Sequence, residues 1–132
     1  MAIQFGTTYR NGMLDLFETT VGTAARCIIY TGSPPADCAT AASGSVLATI
    51  ICPSDWMNDA ATGSKTLKGT WSVSASGTGT AGYFRIYDSG VSVCSMQGTV
   101  GTSATDMIVD STSFTSGQTF SITTFTLTAP GA

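Results

Sequence analysis

Beyond Gly22, no stretch of the chain carries apolar residues at helical spacing. Short apolar or alternating runs follow one another instead, each closed by Gly, Pro, Asp, Asn or Ser: RCIIYTG, VLATIIC, KTLKGTWSVSAS, AGYFRIYD, VSVCSMQGTV, DMIVD and QTFSITTFTLT. Strands of this length at this spacing specify an all-β sandwich or barrel, because a doubly wound α/β fold needs a helix between strands. The expected fold is mainly β: an antiparallel β-sandwich or barrel, jelly-roll-like, with one N-terminal α-helix. The 132 residues are read as a single domain, 1–132, with an N-terminal arm at 1–6, a helix at 7–21 and strands across 25–128. A chain of this length buries roughly two-thirds of its unfolded surface, so it needs neither metal nor disulfide to fold.

The helix is read from TTYRNGMLDLFETTVG, where Tyr9, Met13, Leu16, Phe17 and Val21 recur at helical spacing. Thr7 or Thr8 would cap it and Gly22 would end it, while Gly12 weakens it by about 1 kcal/mol relative to Ala. The apolar stripe is expected to face inward onto a sheet; the functional alternative is an amphipathic helix that binds a partner. SPPADCATAASGS and PSDWMNDAATGS read as loops, the first because two prolines have no place in a central strand. In KTLKGTWSVSAS, Leu67, Gly69, Trp71, Val73 and Ala75 share one face and Lys68, Thr70, Ser72 and Ser74 the other, the pattern of a half-buried strand. In the last run the apolar phase slips between Phe120 and Ile122 (even) and Phe125 and Leu127 (odd). Side chains alternate strictly along a strand, so the slip predicts a bulge or bend near Thr123-Thr124.

GTGTAG, residues 77–82, matches G-x-G-x-x-G. A dinucleotide site needs a helix directly after the glycines, with its free N–H groups aimed at the pyrophosphate. Here YFRIY follows, which is strand material, and WSVSAS precedes. The glycines are therefore expected to form a hairpin connection, supplying positive φ or close backbone approach. No cofactor is expected.

Charged residues make up 10% of the chain, against about 25% in an average domain, so few groups are available for acid–base chemistry. Net charge is −3, and Arg10, Arg26, Lys65, Lys68 and Arg85 are scattered. Neither nucleic acid nor an anionic membrane is an expected partner. No apolar run approaches the roughly 20 residues that cross a bilayer. MAIQFGTTYR lacks a basic segment ahead of an apolar core, so a cytosolic origin is expected.

Cys27, Cys38, Cys52 and Cys94 form no C-x-x-C pair, and with no histidine a zinc site is not expected. In a reducing cytosol they read as small core residues, with Cys38 in its loop the most exposed; three disulfide pairings remain open. The missing histidine also removes the commonest general base and any Ser/His/Asp or Cys/His triad. Asp55 and Asp59 beside Trp56 resemble a sugar-cleaving pair with a stacking ring, but Asp in loops more often caps turns. A calcium site from Asp55, Asn58 and Asp59 lacks the alternating ligand spacing. No catalytic or metal-binding residue is assigned.

Two groups of residues are candidate protein-interface positions. Tyr83, Arg85 and Tyr87 share one face of their strand and Phe84 and Ile86 the other. With Phe84 and Ile86 inward, the first three form either an exposed patch of the kind enriched at binding hot spots or a second buried layer with Arg85 paired to an acid. Trp56 and Met57 are a second contact point, or else anchor their loop to the core.

The stretches TGTAGYFRIYDSG and QGTVGTSATDMIVDSTSFTSGQTFSITTFTLT, with RNGMLDLF, IIYTGSPPA and GSVLATI before them, resemble a group of small structural proteins of tailed-bacteriophage virions. The resemblance covers nearly the whole chain and rests on turn and strand signatures. It implies a capsid decoration, or cement, protein on the outer capsid surface, made in the host cytoplasm. Its implied partners are the major capsid protein and further copies of itself, as a homotrimer or similar oligomer. A tail or fibre component that binds a host surface carbohydrate is the alternative. The resemblance carries no catalytic residues and nothing for the cysteines.

Overall fold

The computed structural model describes residues 3–132; Met1 and Ala2, the first two positions of the expected arm, lie outside the described residues. One helix, α1 (Thr7–Val21), precedes nine strands: β1 (Arg26–Thr31), β2 (Val46–Ile51), β3 (Ser64–Thr66), β4 (Ser72–Ser74), β5 (Gly79–Tyr87), β6 (Cys94–Gly101), β7 (Met107–Val109), β8 (Ser113–Phe114) and β9 (Thr119–Thr128). The strands join in the order β2-β1-β5-β6-β7-β9-β3, with β4 also on β9 and β8 on β5. The sheet curls into a half-barrel, so the fold is mainly β with one helix, as the strand pattern predicts. Its two ends approach where the amides of Ser76 and Gly77 both donate to the Leu47 carbonyl, at 2.8 and 3.1 Å. No helix of the described residues is long and apolar enough to cross a membrane.

Every pairing is antiparallel except β6 with β7. That parallel pair departs from the all-antiparallel expectation. Residues 102–106 loop out and return at Asp106, whose carboxylate accepts bonds from the Thr99 amide (2.9 Å) and hydroxyl (3.0 Å). The chain thus leaves β6 and re-enters beside it in the same direction.

The phase slip in β9 is a bulge. Ile108 pairs with Thr124 and Val109 with Ile122, leaving Thr123 unmatched. This lets Phe120, Ile122 and Phe125 all reach the core, where Trp56, Trp71, Phe84 and Phe114 join them. KTLKGTWSVSAS is two strands rather than one. Gly69 sits at φ +76, which ends β3 before β4 begins, although Trp71 and Ala75 are buried on the expected face.

The glycine-rich link also departs in part. β5 runs through Gly82 into Tyr87 with no helix, but β4 pairs with β9 and β5 with β1, β6 and β8, so the link is no hairpin. Its glycines serve close approach: a Cβ on Gly77 would lie 2.6 Å from the Val46 carbonyl oxygen, and one on Gly82 would overlap the Gly32 backbone.

The helix spans the expected residues but is turned. Tyr9 and Leu16 are 59% and 62% exposed, whereas Leu14 and Val21 are buried and Phe17 packs on Trp56. The N-cap is Gly6, with no side-chain cap bond, rather than Thr7 or Thr8. Polar contacts set the orientation. The Lys65 ammonium on β3, 2% exposed, bonds Asp15 at 2.7 Å and Glu18 at 2.9 Å. Arg10 donates to the Ala129 carbonyl at 2.8 Å, and the Gly63 and Ala60 amides donate to Asn11 and Asp15. Turning Tyr9 and Leu16 inward would carry Asp15 and Glu18 away and strand Lys65 in the core, a larger penalty than two exposed apolar side chains.

Two variants test this account. Lys65→Met should lower unfolding free energy in urea by about 2–4 kcal/mol, below the full penalty for a broken buried pair because Asp15 and Glu18 still reach water. Lys68→Met, which breaks only a surface pair, should be nearly neutral. Gly82→Ala should cost about 3 kcal/mol or more, since the new methyl overlaps main chain rather than a movable side chain.

Candidate functional site

Three regions gather chemistry-bearing side chains. The first is a groove of about 590 Å³ between α1 and the loop after β2, lined by Asp15, Glu18, Ser54, Asp55, Asp59 and Lys65 among others. Burial pulls the Lys65 pKa down, but hydrogen bonds and charge from Asp15 and Glu18 more than offset this and leave it raised. Lys65 is therefore a fixed cation, not a neutral amine nucleophile. The Lys65 bond likewise holds Asp15 below its usual range, with help from the Ala60 amide.

Asp55 and Asp59 both face this groove, as the loop reading brings them together. Asp55 is engaged by Lys68 at 2.5 Å, which lowers its pKa, the reverse of what a proton-donating carboxyl needs. The Asn58 amide is occupied by Thr66 and the Leu67 carbonyl, each at 3.0 Å. Among the described residues, no three His, Cys, Asp or Glu side chains are gathered to hold a metal.

Trp56 and Met57 are fully buried. The Trp56 indole donates to the Gly22 carbonyl at 2.9 Å, and its ring meets Phe17 edge-on and Trp71 at a tilt. The flanking backbone pairs with the strand side, Lys68 donating to Trp56 and Asn58 to Thr66, each at 2.9 Å. These two residues anchor their loop to the core and present no contact surface.

The second region is the outer face of β1 and β5. Tyr83, Arg85 and Tyr87 are buried there, not an exposed patch. Residues 32–45 form the cover. Arg85 donates to the carbonyls of Asp37 (3.2 Å) and Thr40 (2.7 Å) and to Gln97 (3.1 Å), so main-chain oxygens take the place of the acid considered from sequence. The Tyr83 hydroxyl donates to the Ser43 carbonyl at 2.6 Å, and Gln97 donates to Pro35 at 2.7 Å. Beneath them Tyr30 stacks on Tyr83 with centroids 4.8 Å apart, and the hydroxyls of Tyr30 and Tyr87 are 3.2 Å apart. Asp37 closes the cover with bonds from the Thr40 amide and hydroxyl at 2.8 and 2.9 Å.

All four cysteines are free. Cys27 and Cys52 neighbour each other in the core, where burial pushes the first thiol well up and the second to about 12. Cys94 lies under the cover beside Cys38 and is pushed to about 11, by burial and then by the bond to Cys38. Cys38 itself is half-buried.

The third region is the outer face of α1 with the arm, the partner-binding alternative of the sequence reading. Ile3 (78% exposed), Phe5, Tyr9 and Leu16 lie outside, and Met13 sits between Tyr9 and Leu16 on the same helix face. The Phe5 and Tyr9 rings are 5.0 Å apart, which joins the arm to the helix in one apolar strip. The available signal was the pair Asp15 and Glu18 on the face adjoining Leu14, answered by a lysine of core parity in β3.

Comparisons with protein-family models, with curated proteins and with solved structures find no match.

The titrating groups set a pH window. Unfolded thiols ionise near about 8.5, while Cys27, Cys52 and Cys94 are raised in the fold. Above that pH the unfolded chain holds fewer protons than the folded one, so stability falls as pH rises from about 9 toward 12. Asp15, Asp37, Asp55 and Asp88 are lowered, so their contribution is present above about 4 and lost as pH falls. Thermal melting should show a plateau between about pH 5 and 8, and Cys52→Val should make the alkaline decline shallower. An unchanged alkaline limb would refute the thiol assignment.

Proposed function

We propose that the chain is a non-enzymatic structural protein of a tailed-bacteriophage virion, a capsid decoration or cement protein that braces major capsid subunits from the outer surface. The reading draws its identity from the resemblance of TGTAGYFRIYDSG and the segments around it. The observation that carries the adhesive role is the apolar strip of exposed Phe5, Tyr9 and Leu16, with half-buried Met13 between them. An exposed apolar strip flanked by polar residues, here Thr8 and Thr19, is characteristic of a protein-binding face.

The strip lies on a helix held by Lys65, Arg10 and the Gly63 amide, so little conformational freedom is lost on docking. A specific contact needs about 1,000 Å² of buried surface, and repetition over a symmetric shell multiplies a modest affinity per copy. The carbohydrate-binding alternative gains no support at Trp56 or Tyr87, whose rings are covered.

The test is binding to expanded, undecorated shells of the cognate phage. The protein should bind them, and Leu16→Asp or Tyr9→Asp should weaken binding by about tenfold or more, the worth of one buried apolar anchor. Thr8→Asp, on the polar flank, should bind as the parent does. No binding to such shells, or binding indifferent to Leu16 and Tyr9, would overturn the reading; selective binding on a glycan array would favour the tail component.

A further inference from the structure

A cavity of about 520 Å³ lies in the wall of the half-barrel between β6 and β9. Its lining alternates between the two faces of the sheet. Phe84, Phe125 and Leu127 belong to the core side, whereas Gln97, Thr126 and Thr128 lie on the outer side. A depression on a sheet surface would be lined from one face only, so this is a gap between strands.

The width of the gap follows from β7. That strand pairs with β6 on one edge, at Val100 and Gly101, and with β9 on the other, at residues 122–125. There β6 and β9 stand two strand spacings apart, about 9.6 Å. β7 begins only at Met107, and just before it the Asp106 carboxylate takes the Thr99 amide. Farther along the same line, residues 94–99 of β6 pair with β5, and residues 126–128 of β9 pair with β3. Residues 94–98 and 126–128 have their second edges turned toward the slot. Two facing strand edges one strand apart, over an apolar floor, select an extended peptide with an apolar side chain at every second position.

We infer that the slot receives the N-terminal arm, residues 1–4, of a second copy of this chain. The arm offers the required alternation, with Met1 and Ile3 on one side and Ala2 and Gln4 on the other. In its own molecule Ile3 is 78% exposed and lies outside the slot. The arm is rooted at the slot's end of β9: the Phe5 amide donates to the Gly131 carbonyl at 2.8 Å, three residues beyond Thr128 of the slot wall. Root and slot therefore lie together, so two copies meeting at this end exchange arms reciprocally. Gly98 lets the wall pack closely here, since a Cβ there would lie 2.8 Å from the Phe84 ring and 2.9 Å from the Asp106 carboxylate. The inference holds independently of the virion reading.

The test uses the full chain with p-benzoylphenylalanine at position 3, mixed as ¹⁴N and ¹⁵N protein and photolysed without shells. Expected are a dimer or closed ring in solution and cross-links joining light to heavy chains, from position 3 to residues 94–99 or 126–128. In unlabelled protein, Ile3→Asp should weaken self-association by about tenfold or more. Met96→Glu, which places a charge in the slot while the arm stays intact, should do the same with an unchanged circular dichroism spectrum. A strict monomer, cross-links confined to single copies, or cross-links to any other surface would overturn the inference. Loss of shell binding with arm exchange retained would overturn only the decoration role.

Discussion

The Lys65 ammonium is sealed beneath α1, and almost everything distinctive about the molecule depends on it. A buried cation is tolerable only with its counter-charges at hydrogen-bond distance, and Asp15 and Glu18 supply them at 2.7 and 2.9 Å. That requirement decides which way the helix faces. It closes one end of the half-barrel over Trp56 and Trp71, and it forces Tyr9 and Leu16 into solvent. One ion bridge thereby both completes the core and creates the strip on which an adhesive role rests.

The remaining architecture is a compromise between curling and closing. The β9 bulge at Thr123 bends the sheet and brings Phe120, Ile122 and Phe125 into one core, and the Leu47 carbonyl tethers the far edges. Short β7 leaves the wall open beside it. The opposite face of β5 is buried too, under a cover fastened by Arg85, Tyr83 and Gln97. β5 is thus covered on both faces along the stretch 83–87, as its near-continuous run of aromatic and branched residues requires.

Much of the fold was legible because strand patterning is local. Parity put Phe84 and Ile86 on one face of their strand, and the parity change between Ile122 and Phe125 located the bulge. The missing helix after Gly82 followed from Tyr83–Tyr87 being strand-forming residues. What escaped was set by distant partners. Counting apolar residues in α1 cannot see Lys65, roughly fifty positions away, so Phe17 and Val21 were read inward correctly but Tyr9 and Leu16 were not. Period alone cannot tell a solvated outer face from one under a loop, so Tyr83, Arg85 and Tyr87 stayed ambiguous until residues 32–45 were seen to lie on them. Trp56 next to two acids looked like a sugar platform, yet its indole is spent on the Gly22 carbonyl. The split at Gly69 and the parallel entry of β7 depend on backbone torsion and on the Asp106–Thr99 contact, which no alternation of polarity encodes.

The way the cover is fastened has a consequence for how such a chain can diverge. Arg85, Tyr83 and Gln97 all grip main-chain oxygens of residues 35–43, atoms that every amino acid carries. Substitutions along the strap leave those grips intact, whereas an insertion or deletion shifts every oxygen out of reach at once. Natural variation should therefore be permissive in the lettering of this strap and strict in its length, with the tolerance underwritten by three side chains located elsewhere in the chain.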